Sequence, residues 1–142
     1  EYERWGSIIL KSAHDTSWGR STSLLGWNET AKKFQELLNN SGTQSLHYIV
    51  SREYQLSSAL SYWTRPRPRP WPHSLENPQR NQWSPEEEVR RGPSVFVCEL
   101  WDCGQSQEAF RERFSLNLLY LGEIEVYQKS RMIRNLLVYR IE

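Results

Sequence analysis

Ser94-Val-Phe-Val-Cys-Glu-Leu-Trp101 is the stretch on which the fold turns. Val95 and Val97 point one way along an extended chain, Phe96 and Cys98 the other, and all four are apolar. A strand that alternates across the sheet yet is apolar on both sides is buried on both faces, which places 94–101 at the centre of a sheet. Elements on either side of it must therefore cover two faces or pair with its two edges.

Upstream, Ser84-Pro85-Glu86-Glu87-Glu88 has a serine in the cap position, proline at the first helical position and glutamate at the third, a capping-box pattern. Gly92 and Pro93 end that short helix. Downstream, Asp102 to Gly104 turns the chain, and Phe110, Phe114, Leu118 and Leu121 then recur at helical spacing, with Gly122 where a C-terminal glycine belongs. The same segment alternates almost as well as a strand through Phe114, Leu116, Leu118 and Tyr120; the Ser106 start and the Gly122 stop favour a helix. Ile124 and Val126 alternate with Glu123 and Glu125 as a half-exposed strand, and Met132 to Ile141 reads as a last strand.

In the first half, residues 5–13 read as a strand. The clearest helix starts at Asn28 as N-cap with Glu29 in its first turn; Ala31, Phe34, Leu37 and Leu38 form its apolar face, and Asn39 to Gly42 end it. Residues 45–53 read as the second strand, and 55–62 permits a short helix. Strand, helix, strand, long insertion, strand, helix, strand is the order of an α+β, split βαβ (ferredoxin-like) sheet with two main helices on one face. The expectation is a single domain over 1–142, with a Pro/Arg/Trp-rich loop at 64–85.

At 142 residues the chain is long enough to bury a core without disulfides or metal. Aromatic residues make up 13 %, too many for a disordered segment. No apolar run reaches the roughly 20 residues needed to cross a bilayer, so no membrane association is expected. A first residue of Glu1 rather than Met suggests a processed product or an excised domain. Net charge is +1, which marks neither a polyanion binder nor an acidic tail, but the cations are fourteen arginines against four lysines. Arginine stacks on rings and grips carboxylate or phosphate in bidentate fashion, which lysine does not. Cys98 and Cys103, five apart, make no disulfide framework and read as free thiols in a reducing, intracellular compartment (cytoplasm or nucleus). The sequons Asn28-Glu-Thr and Asn39-Asn-Ser pull weakly the other way.

Local signatures of catalysis are lacking. No glycine pattern suits a phosphate loop, and His14, His47 and His73 have no ligand spacing with one another or with the cysteines. His14-Asp15-Thr16-Ser17 holds the residue types of a hydrolase triad, but sequence neighbours do not meet in triad geometry. The chain reads as a non-enzyme with no catalytic residues, no cofactor and no metal.

The remaining feature is Ser61-Tyr-Trp-Thr-Arg-Pro-Arg-Pro-Arg-Pro-Trp-Pro72. Its prolines stand two apart, whereas an SH3 ligand needs them three apart to match the polyproline II repeat. Spacing of two gives stiffness, since each proline fixes its own φ and holds its predecessor extended. Arg65, Arg67, Arg69 and Arg80 lie among Trp63, Trp71, His73 and Trp83, with Glu76 as the one nearby acid. Guanidinium groups for phosphate and rings for bases equip a surface for RNA or single-stranded DNA, and that is the leading expectation. The alternative is a protein-interaction module, with Trp and Arg as hot spots and homodimerisation as one form of it. The inert alternative is a strap, its arginines spent on the domain's own rings and acids.

Overall fold

The computed structural model describes residues 25–43, 45–64, 69–76 and 85–142. The proposed strand at 5–13, the His14–Ser17 group, Arg65, Arg67, Arg80, Trp83 and the Ser84 cap lie outside the described residues. In chain order the elements are α1 (Trp27–Asn40), β1 (Tyr48–Ser51), α2 (Tyr54–Trp63), β2 (Trp71–Ser74), α3 (Pro85–Val89), β3 (Ser94–Glu99), a 3₁₀ turn (Leu100–Asp102), α4 (Cys103–Arg113), β4 (Leu118–Gln128) and β5 (Arg131–Ile141). The strands form one mixed α+β sheet of order β2-β1-β3-β5-β4.

β3 is central and buried along its whole length, as its two-sided apolar pattern requires. It is also where the sheet changes character: β1 runs parallel to both β2 and β3, whereas β5 runs antiparallel to β3 and to β4. The ferredoxin-like expectation is corrected on two counts. The first strand of the expected split βαβ, 5–13, lies outside the described residues, but the described strand order differs from that plan: β1 lies parallel to and directly against both β2, which it reaches through α2, and β3. Helices also cover both faces rather than one. On one face α1 and α2 bring Trp27, Phe34, Leu38, Leu56 and Leu60 onto Ile49, Val95, Val97, Ile124, Val126, Leu136 and Val138. On the other, Val89 of α3 with Cys103, Phe110 and Phe114 from the α4 region cover Tyr48, Val50, Phe96 and Cys98. The two-sided pattern of β3 is satisfied by two separate cores.

α1 buries the expected face through Ala31, Phe34 and Leu38, with Leu37 packed beside them. Its start differs: Gly26, at φ 74°, occupies the cap position, and Asn28 is already inside the first turn. The left-handed backbone at residue 26 suits glycine, and a Cβ there would also sit 2.7 Å from Ile133 Cδ1. No side chain caps this end; the Thr30 hydroxyl instead donates to the Gly26 carbonyl at 2.6 Å.

The ambiguous segment after Gly104 is both things in turn. Helix α4 stops at Arg113, Phe114 is already extended, and β4 begins at Leu118. Phe110 stacks on Phe114 at 4.7 Å between centroids, so the helical spacing holds for that pair. Leu118 to Tyr120 are instead spoken for by pairing with β5, and Leu121 is the extra residue at a register shift before Gly122 pairs with Val138. Gly122 therefore ends no helix. It sits in β4 where Leu37 of α1 packs on the sheet, its Cα so close that a Cβ would lie 2.6 Å from Leu37 Cδ1.

The 64–85 stretch is not one loop, for β2 lies inside it. Its ladder to β1 uses the amides of odd-numbered residues: Trp71 N–H donates to the His47 carbonyl at 2.8 Å and Leu75 N–H to the Ser51 carbonyl at 3.0 Å. Pro72 falls between them, so its missing N–H is on the open edge of the sheet. A proline there costs no ladder bond and blunts the edge against further pairing. The Ser61 hydroxyl donates to the Pro70 carbonyl and fixes the entry to the strand.

Candidate functional site

The structure divides the surface that the sequence assembles. Trp71 and His73 pair in register with Tyr48 and Val50, so they belong to the α4 face. Trp63 and Arg69 lie on the α2 side. Trp71 is the most open of the large apolar side chains among the described residues, at 64 % exposure. His73 is packed inward: it is 5 % exposed, and its ring stands 6.1 Å from both Tyr48 and Phe114, edge-on. Burial, reinforced by the nearby Arg113 guanidinium, pushes its pKa down to about 4 and keeps the imidazole neutral.

On the α2 side the exposed aromatic surface has a definite shape. Trp27, Tyr54, Gln55, Ser58, Ala59, Tyr62 and Trp63 line a shallow groove of about 430 Å³ between the start of α1 and the outer face of α2. Helical spacing explains the lining: Tyr54, Ser58 and Tyr62 recur every four residues, with Gln55, Ala59 and Trp63 each one position on. Leu56 and Leu60, on the opposite stripe, are held in the core. Tyr62 and Trp63 are 57 % and 39 % exposed and meet edge to face, 5.5 Å between centroids. Arg69 returns from the chain and lays its guanidinium 4.9 Å from the Tyr62 ring centre.

The fate of the loop arginines distinguishes a contact surface from a strap. Among the described residues Arg69 has no carboxylate partner, and its Nε is buried without an acceptor. Glu76 is taken instead by Arg52, which also reaches Asp102 at 2.8 Å and Glu53 at 3.3 Å. Burial opposes the Arg52 charge, but these three carboxylates more than offset it and hold its pKa above the ordinary value. The segment from Ser61 to Leu75 contains no acid, and the acid that follows it is spent elsewhere.

The Arg52 hub marks a second polar region that no local motif signals. Residues 52–53 follow β1, 75–76 follow β2 and 100–102 follow β3, so the carboxyl ends of the three parallel strands converge there. α2, between β1 and β2, and α3, between β2 and β3, pack on opposite faces, and the space between the ends of β1 and β3 is where open α/β sheets place ligands. Here that space is closed. Arg52 bridges it to Asp102, whose Oδ2 also accepts from the Ser106 hydroxyl at 2.9 Å.

Beside the hub lies Glu99, 7 % exposed, accepting from the Trp101 indole N–H at 3.2 Å. Burial raises its pKa to about 7; Arg134 pulls it down, while Glu53 and Asp102 push it further up. Burial likewise lowers Arg134 to about 10, against the opposing pull of Glu99. Both shifts favour the neutral form, so for each partner desolvation outweighs their mutual attraction. Arg134 remains a cation at neutral pH and lies 3.8 Å from the Trp27 ring centre, with Nη1 donating to the Leu25 carbonyl at 3.1 Å and the Thr30 hydroxyl at 2.9 Å.

Cys98 and Cys103 are joined in a disulfide, which corrects the free-thiol expectation. The separation of five residues misled because it ignores the 3₁₀ turn, which folds the chain back and sets the two Cα atoms 5.1 Å apart. Disulfides persist in oxidising surroundings, so the thiol argument for an intracellular compartment falls away. Among the described residues no helix is long and apolar enough to cross a membrane, and no group of His, Cys, Asp and Glu has the arrangement to hold a metal. No protein-family model, curated protein or solved structure matches the chain.

Proposed function

We propose that this chain is a non-catalytic interaction module that grips a short apolar segment of a protein partner, flanked by acidic side chains, in the groove between α1 and α2. The observation that carries this reading is the groove of Trp27, Tyr54, Tyr62 and Trp63, with Arg69 at its rim uncommitted to any carboxylate among the described residues. Rings in a concave apolar site with an arginine at the edge are the composition of protein hot spots. Charge complementarity selects acidic flanks: Arg65 and Arg67 follow in sequence between Trp63 and Arg69, with no acid from Ser61 to Leu75.

Single-stranded nucleic acid is the second reading, favoured by a guanidinium resting on an exposed ring. Two observations rank it below the first. Tyr62 and Trp63 stand at 81° to each other rather than as successive parallel platforms, and Trp71 faces the other side of the sheet.

A selection of displayed random peptides on the immobilised chain tests the proposal. Acidic-apolar peptides are expected, with binding weakened about 30-fold by Tyr62→Ala/Trp63→Ala, the effect of a 2 kcal/mol hot spot. If no selected peptide depends on those two residues, the reading fails. Salt-sensitive binding of a labelled oligothymidylate, lost with the same variant, would establish the nucleic-acid reading in its place.

A further inference from the structure

We propose that the groove is proton-gated: the charge state of Glu99 is relayed through the buried guanidinium of Arg134 to Trp27, so that the hold on a partner changes with proton concentration. The inference rests on the groove being the contact surface and adds how that surface is regulated.

Position within the sheet supplies the link. Glu99 pairs with Leu136, and Arg134 stands two residues along the same strand on the same face, the diagonal position that long side chains span. Arg134 is 2 % exposed and lies against Trp27, the groove residue at the base of α1. One buried cation thus faces the Glu99 carboxyl on one side and the Trp27 ring on the other.

Among the described residues, three charged side chains act on Glu99. From β5 it faces Arg134; from the residue preceding α2, Glu53; from the 3₁₀ turn, Asp102, with the Trp101 indole as hydrogen-bond donor. Arg52 is tied to Asp102, Glu76 and Glu53. The Glu99 proton exchanges close to neutral pH, at about 7. When it is ionised, its field draws on the guanidinium in competition with the ring. When it is neutral, Arg134 keeps its contacts with Trp27, Thr30 and the Leu25 carbonyl without that competition. The groove base is therefore firmer, and partner affinity higher, on the acid side of the transition.

The test needs no partner. In ¹H–¹⁵N spectra of the full chain, with the Trp27 indole signal assigned by Trp27→Phe, that signal should move with a midpoint near 7. In Glu99→Gln, which keeps an acceptor for Trp101 and removes the titration, it should stay fixed. Arg134→Lys, which keeps the charge but loses the planar stack, should uncouple Trp27 while the Glu99 carboxyl ¹³C signal still titrates. A Trp27 signal that is fixed from about pH 5.5 to about pH 8.5, or one that titrates unchanged in Glu99→Gln, overturns the proposal. A selected peptide should bind at least about fivefold more tightly on the acid side in the wild type, and equally on both sides in Glu99→Gln. If Trp27 titrates as expected and no groove-dependent peptide is found, the relay stands and the groove reading falls.

Discussion

Replacing Glu99 by glutamine should stabilise this protein at alkaline pH and leave it nearly unchanged in acid. Folding raises the Glu99 carboxyl from 4.5 to about 7 because burial costs the ion more than Arg134 returns. Between those values the folded chain holds a proton that the unfolded chain has released. Stability is thus fullest below about 4.5 and falls as pH rises through about 7, above which the whole penalty is in place. The distance from 4.5 to about 7, at about 1.4 kcal/mol per tenfold change, gives roughly 3.5 kcal/mol. In a chain of this length that corresponds to about 10 °C in Tm. Thermal melts of wild type and Glu99→Gln at about pH 8 and about pH 5 check this: a Tm gain near 10 °C at the higher pH, and little difference at the lower.

His73 makes the comparison stricter. Its pKa is lowered from 6.5 to about 4, so its contribution is complete above 6.5 and is lost as pH falls toward about 4. In the wild type the two slopes oppose each other between about 4.5 and about 6.5 and nearly cancel. Glu99→Gln keeps the His73 slope alone, so its stability should climb across that window and then level off. If Glu99→Gln melts at or below wild type at about pH 8, the buried ion is net stabilising through Arg134 and the desolvation argument is wrong.

Two further outcomes follow from the packing. Cys98→Ala/Cys103→Ala should lose about 2 kcal/mol in urea unfolding, the loop-closure entropy of a six-residue ring, and wild type in reductant should approach the same value. Phe110→Ala should cost about 3–5 kcal/mol by the same measurement, since Phe110 is fully buried and contacts both Phe96 and Phe114.

The elements legible in the sequence are those whose burial is written in local periodicity. The apolar face of α1, the two-sided pattern of β3 and the alternation of Ile124 and Val126 all appear at their expected places. The aromatic site was half legible. Trp63 and Arg69 stand out by residue type, and Tyr54 and Tyr62, which line the groove with Trp63, carry a usable signal in their spacing of eight along α2. Trp27 carried none, because it reaches the groove from another helix.

Sequence alone thus determined the apolar face of α1, the strand character of β3 and the need to cover β3 on both sides, because side-chain periodicity is a property of the local chain. Tertiary structure decided what depends on partners distant in the chain. It paired Leu118 to Tyr120 with β5 and so made a strand where the apolar residues have helical spacing. It turned the Pro72 nitrogen to the open edge and so admitted a proline-rich strand. It folded Cys98 onto Cys103, and it put Trp71 and Trp63 on opposite faces of the sheet. Hydrogen-bond register and the side of the sheet each connection crosses are set by contacts between segments, and no single segment records them.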